Sequence, residues 1–217
     1  MLDVNPWVKI WTSPKVTIKK IVAHNPKYFF SLLCFIYGLA WCFSMAQTLM
    51  LGHYYNVVSL VVVSALLAFP IGYVFLSIST AFFWLAGKVF KGKADYYSIR
   101  AAVSWSNVPT LLTLLTWLVL IVRYGSNIFI SASPEMTTAV SISDICMVLQ
   151  AIAGVWAVVI LVGSYAQVQS FSNWKSVGCF VIASCLWLLL TLLTIYILMA
   201  TQQVNVAAAL INPTFNF

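Results

Sequence analysis

Charge is what this sequence has least of. Only 7% of its residues are charged, and four of its 217 residues are acidic. A soluble domain carries about 25% charged residues, enough to keep its surface wet. An ordinary water-soluble globule is therefore excluded, and hydrocarbon is the solvent that suits a chain that is 63% hydrophobic. No Asp, Glu, Lys or Arg interrupts the long apolar runs. The mid-membrane ionisable groups that a proton or ion relay keeps are thus missing.

Motifs for chemistry are equally scarce. Cys34, Cys42, Cys146, Cys179 and Cys185 lie within apolar runs or at their margins, with no C-x-x-C and no histidine at ligand spacing. They read as small membrane-core residues, and no metal is expected. The two histidines, His24 and His53, flank opposite ends of the first apolar run and cannot share a site. There is no H-E-x-x-H, G-x-S-x-G or P-loop pattern. The expectation is a chain that is not an enzyme and has no cofactor. The first apolar run exceeds 20 residues and lacks an A-x-A-like end, so it reads as a permanent span and not a cleaved signal.

What is present is apolar length. A helix needs about 20 residues to cross a core of about 30 Å, and five segments qualify: 28–50, 56–86, 101–122, 145–165 and 177–200. Continuous runs favour helices over barrel strands, which alternate over about 10 residues. The predicted fold is all-α, a polytopic membrane protein with five transmembrane helices. Residues 1–27 form a cytoplasmic amino-terminal segment, 28–200 the membrane domain and 201–217 a non-cytoplasmic tail. The second segment is long for one span but has no polar turn, so Pro70 marks a kink or tilt in a single helix. In the third, Pro109 cannot donate to the carbonyl of Trp105, and Asn107 is placed to bond freed backbone. Ala153, Gly154, Ala157 and Gly163 suggest a close helix–helix approach on the fourth.

Basic residues are distributed unevenly. Ten of the eleven, including Lys15, Lys19, Lys20, Lys88, Lys91 and Arg100, flank one side of the five spans, and only Arg123 flanks the other. The positive-inside rule puts the amino terminus in the cytoplasm and the carboxy terminus outside. Ser13-Pro14 starts a short helix as N-cap and first position, and Asn25-Pro26 stops it. Ile18, Ile21 and Val22 share a face, while Lys15, Lys19 and Lys20 surround the rest, apart from a misplaced apolar Val16. This is an amphipathic interfacial helix whose lysines meet anionic lipid headgroups. Lipid beside apolar spans, and not nucleic acid, is the expected partner of the +7 balance. Trp11, Trp84, Trp105 and Trp174 lie near inner span ends, as an aromatic belt would.

The stretch Gly154 to Val162, followed by Ala166-Gln167-Val168-Gln169-Ser170-Phe171-Ser172-Asn173-Trp174-Lys175-Ser176, resembles the end of the fourth span and the inner loop of the Yip family, the Ypt-interacting membrane proteins. Asn5-Pro6-Trp7 with Pro14 is similar to the opening of its prokaryotic members. Tyr96 to Leu112, with Ile99-Arg100 and Asn107-Val108-Pro109, is similar to the start of its third span. The resemblance implies five spans with the amino terminus inside. Eukaryotic members add a long cytosolic region with a D-L-Y-G-P-like motif. Here about 27 residues and no such motif precede the first span, which implies the prokaryotic branch and its cytoplasmic (inner) membrane.

The functional expectation is a non-catalytic scaffold or adaptor that binds other membrane proteins or oligomerises. A small-molecule permease or channel is the alternative, resting on the Pro70 and Pro109 breaks. The inner loop is the expected contact surface, with Phe171 and Trp174 giving aromatic area and Gln167 and Gln169 giving amide donors and acceptors.

Overall fold

The computed structural model describes residues 5–130 and 141–211, with side chains as far as Thr201. Helix α1 covers Pro6–Lys9 and α2 Pro14–His24. They precede α3 (Phe30–Thr48), α4 (Val57–Val89), α5 (Tyr96–Ser106), α6 (Thr110–Tyr124), α7 (Ile142–Gln169) and α8 (Asn173–Ile211). There is no strand among the described residues. Five helical units are long and apolar enough to cross a membrane: α3, α4, the broken pair α5–α6 with its closing turn, α7, and α8 through Thr201.

Local signals fix where these helices begin. Asn56 accepts from Ser59 N–H at 2.8 Å to cap α4. Asp95 accepts from the N–H groups of Tyr97 and Ser98 to cap α5. Ser141 and Asp144 form a reciprocal capping box on α7. Each cap satisfies amides that the first turn leaves without partners. Ser13 behaves differently from its expected role. Its side chain makes no cap bond, and the first turn of α2 is tied instead by Thr17 Oγ1 donating to the Ser13 carbonyl at 2.8 Å.

The tightest helix contact joins α3 and α4. A Cβ on Gly38 would run into the Ala68 carbonyl, and one on Gly72 into the Cys34 carbonyl. Backbone meets backbone there because neither residue carries a side chain. The close approach expected on the fourth span is absent at Gly154, where an added Cβ meets nothing within 4 Å. At Gly163 the nearest atoms it would meet belong to Pro14 and Lys15, at 3.4 and 3.9 Å. Pro70 sits between the two crossing residues of α4, on an exposed face, and the helix runs through it unbroken.

The third span does break. Helix α5 ends at Ser106, Asn107 is its C-cap and α6 starts at Thr110. Asn107 Nδ2 donates to the Val103 carbonyl at 2.8 Å, and Val108 N–H reaches the Trp105 carbonyl at 3.3 Å. The backbone groups released by Pro109 are thereby bonded inside the chain, as hydrocarbon requires.

Two expectations for the membrane interface need correction. Ile18 and Ile21 are fully buried, and the apolar face of α2 packs on α5 and α7, not on lipid. Trp105, expected in an interfacial belt, is 1% exposed, and its indole N–H donates to the Tyr28 carbonyl at 3.2 Å. Arg100 is also buried, with its guanidinium 4.1 Å from the centre of the Phe30 ring and 4.9 Å from that of Tyr97.

The helix order brings α2, the start of α3, the end of α4, the start of α5, the end of α7 and the start of α8 to one end of the bundle. This basic end carries every described Lys and Arg except Arg123. The opposite end is closed by Phe43, Trp117 and Phe129, with the Trp117 and Phe129 rings stacked at 5.8 Å.

Candidate functional site

Two regions concentrate polar groups: a cavity at the broken third span, and the junction of α4, α7 and α8 at the basic end. The cavity holds about 380 Å³. Its polar lining includes Ser79, Ser106, Asn107, Thr110, Gln150 and Ser184, beside Tyr37 and Trp187. Several of these groups bond to the protein itself. Ser106 Oγ donates to the Val103 carbonyl at 2.7 Å. Gln150 Nε2 donates to Thr116 Oγ1 at 2.8 Å, and Trp187 Nε1 to Ser79 Oγ at 3.2 Å. Hydroxyls and carboxamides can orient a neutral polar group but have no pKa near neutrality that suits a general acid or base. The chemistry available in the cavity is hydrogen bonding.

The basic-end junction is built around α7's last turn. Tyr165 Oη donates to the Phe83 carbonyl at 2.7 Å, and Gln169 Nε2 donates to Tyr165 Oη at 3.1 Å. Gln169 Oε1 then accepts from Ala94 N–H at 3.1 Å. Gly87 and Gly92 make the hollow that this carboxamide fills, since a Cβ on either would collide with it. Gly92 N–H closes the end of α4 by bonding the Gly87 carbonyl at 2.8 Å.

This geometry corrects part of the expected contact surface. The segment is barely a loop, because α7 runs to Gln169 and α8 starts at Asn173. Ser170 turns the chain in a left-handed conformation (φ 55°), and Phe171 N–H returns to the Ala166 carbonyl at 2.8 Å. Gln169 is 5% exposed, so its amide is committed to the fold and not offered to a partner. Phe171 is half-buried against the core, with Lys175 Nζ 5.7 Å from the centre of its ring. Gln167 is half-buried on α7. Trp174 is different: it is 85% exposed at the first turn of α8.

Lys15, Lys19 and Lys20 are exposed on α2. Pro70 lies away from the cavity lining, whereas Asn107 forms part of it. Nothing in the sequence marks Tyr165 or Ser79, because a single Tyr or Ser in an apolar helix forms no pattern. Gly87 and Gly92 were the available signal, two glycines flanking a helix end that must be approached closely.

At the mouth of the junction Asp95 caps α5. Burial pushes its carboxyl up, but hydrogen bonds from the Ser98 hydroxyl and from the Ser98 and Tyr97 amides outweigh that and hold it below the ordinary carboxylate value. Among the described residues no group of three His, Cys, Asp or Glu is placed to hold a metal ion.

Comparison with curated proteins and with solved structures gave no match. A family model described as the Yip1 domain matches residues 8–199, a span that includes α2, the Gly38–Gly72 crossing, the broken third span and the Tyr165–Gln169 junction. The chain belongs to the Yip1 domain family of multi-pass membrane proteins.

Proposed function

We propose that this protein is a non-catalytic membrane scaffold or adaptor that engages other membrane proteins through its fifth span, α8, including the Trp174 end of that helix. The observation that carries this reading is α8. In its most apolar window only 6% of the residues are buried, against 50% for α3. Cys179, Ala183 and Phe180 face the bundle, while Leu188, Leu189, Leu192, Leu193 and Tyr196 stand more than half exposed. Trp174 continues that open face to the basic end, and Trp is enriched among residues that dominate interfaces. Lipid can solvate such a helix, but association through van der Waals packing then costs little desolvation. The basic end faces the cytoplasm in this reading, by its excess of Lys and Arg, and prokaryotic cytoplasmic membrane is the setting.

A photoreactive residue at position 174, activated in membranes, tests the reading. A discrete protein adduct, lost in Leu189→Ala/Leu193→Ala, is the expected result. Adducts with lipid alone would remove the partner-binding surface.

The cavity at the third-span break favours a second reading, passage of a small neutral polar solute. Flux of such solutes into proteoliposomes, abolished by Gln150→Leu, is its measurement.

A further inference from the structure

Beside Lys15, helix α2 carries an apolar residue on its outward side. Val16 is 57% exposed. It lines a cavity of about 560 Å³ between α2 and the last turns of α7. The floor is Val159 and Val162, and Asn173 closes one edge. Gly163 lets Pro14 settle against α7, and the aliphatic stem of Lys15 passes over the same glycine. Lys15 thereby stands at the edge of an apolar slot, with an exposed Lys19 one helical turn further along. A long basic side chain that lays its stem on apolar surface keeps its charge at the headgroup level.

We infer that this slot binds one molecule of an anionic glycerophospholipid, with an acyl chain along Val16, Val159 and Val162 and the phosphate at Lys15. Charge and shape agree on this occupant. The rim residues Thr12, Ser13 and Asn173 offer hydrogen bonds, Lys15 supplies the cation, and among the described residues no acidic side chain lines the slot. In water Val16 contributes nothing by burial; against an acyl chain its apolar surface leaves water, which is favourable. The inference stands apart from the partner-binding reading, because α8 contributes only Asn173.

The test uses the full chain in detergent micelles containing equal amounts of dioleoylphosphatidylglycerol and dioleoylphosphatidylcholine, with retained lipid counted by native mass spectrometry. One retained phosphatidylglycerol is expected, favoured about five-fold over phosphatidylcholine, the effect of one lysine near a headgroup. Lys15→Gln removes the preference. Val16→Ser, an exposed change that leaves the fold intact, and Val159→Trp, which fills the slot, each reduce retention of both lipids. Lys175→Gln, at the same end but outside the slot, alters neither. A preference that survives Lys15→Gln, equal losses with Lys15→Gln and Lys175→Gln, or retention unchanged by Val16→Ser overturns the site. Displacement of the lipid by excess inorganic phosphate would also overturn it, since the occupant would then be a headgroup-sized anion without a chain.

Discussion

The carboxamide of Gln169 occupies the space that a side chain on Gly87 would fill, and it bridges Tyr165 Oη to the backbone of Ala94. One glutamine thereby ties the end of α7 to the segment joining α4 and α5. Its removal leaves the half-buried Ala94 N–H without its acceptor, which costs about 1–3 kcal/mol. Gln169→Ala should lower the free energy of unfolding in detergent by that amount. Gln167→Ala, two residues earlier on the same helix, should stay within about 0.5 kcal/mol of the parent. Equal effects at the two positions would show that Gln169 is not committed to the fold as described.

The glycines make a second comparison. Gly72→Ala forces Cβ into the Cys34 carbonyl, so α3 and α4 must separate. Gly154→Ala meets open space on an exposed helix face and should be neutral or stabilise by up to about 1 kcal/mol through helix propensity. Gly72→Ala should instead destabilise by about 1–3 kcal/mol, the range for overpacking. Unfolding midpoints of the two variants in one detergent decide the matter, and a stable Gly72→Ala would remove the backbone crossing.

The sequence carried the large-scale plan because hydrophobic length and charge placement act at that scale. Five runs without an ionisable residue can be solvated only by lipid, and the Pro109 break announces itself because proline lacks an N–H. The destination of each polar side chain was less legible. Gln169 and Gln167 look alike in sequence, yet the glycines at 87 and 92, more than 70 residues away, decide that only Gln169 is enclosed. The periodicity of α2 marks the face that carries Ile18 and Ile21, but not whether that face meets lipid or protein. Val16 breaks that pattern, and only the placement of α7 beside it supplies an apolar neighbour.

Asp95 gives a pH dependence with a defined sign. Its folded pKa lies below the ordinary value of about 3.9. A depressed folded pKa stabilises the fold fully above the unfolded pKa, and that contribution disappears as pH falls through the folded value. Unfolding midpoints should therefore drop as pH is lowered below about 4, and Asp95→Ala should lose this component of the slope. At neutral pH the same substitution removes the α5 cap, costing about 1 kcal/mol. An acid limb that is unchanged in Asp95→Ala would place the titrating group elsewhere.

The two ends of the bundle should lie on opposite sides of the membrane. Lys91 follows α4 at the basic end, and Tyr54, 79% exposed, lies in the α3–α4 turn at the other. Single cysteines at these positions, in a background where the five native cysteines are replaced, can be labelled with a membrane-impermeant maleimide in intact cells or spheroplasts. Residue 54 should react from outside, and residue 91 only after the membrane is opened. The physical basis is the cost of moving Lys and Arg across the bilayer, which biases flanking segments toward the cytoplasm. Ten basic residues at one end against Arg123 at the other leave little to oppose that bias. Charge should therefore control the outcome. Replacing Lys88, Lys91 and Lys93 with Gln should produce a fraction of molecules in which residue 91 reacts from outside. Outside labelling of residue 91 in the parent chain would reverse the orientation, and labelling of both positions from one side would remove the membrane crossing of α4.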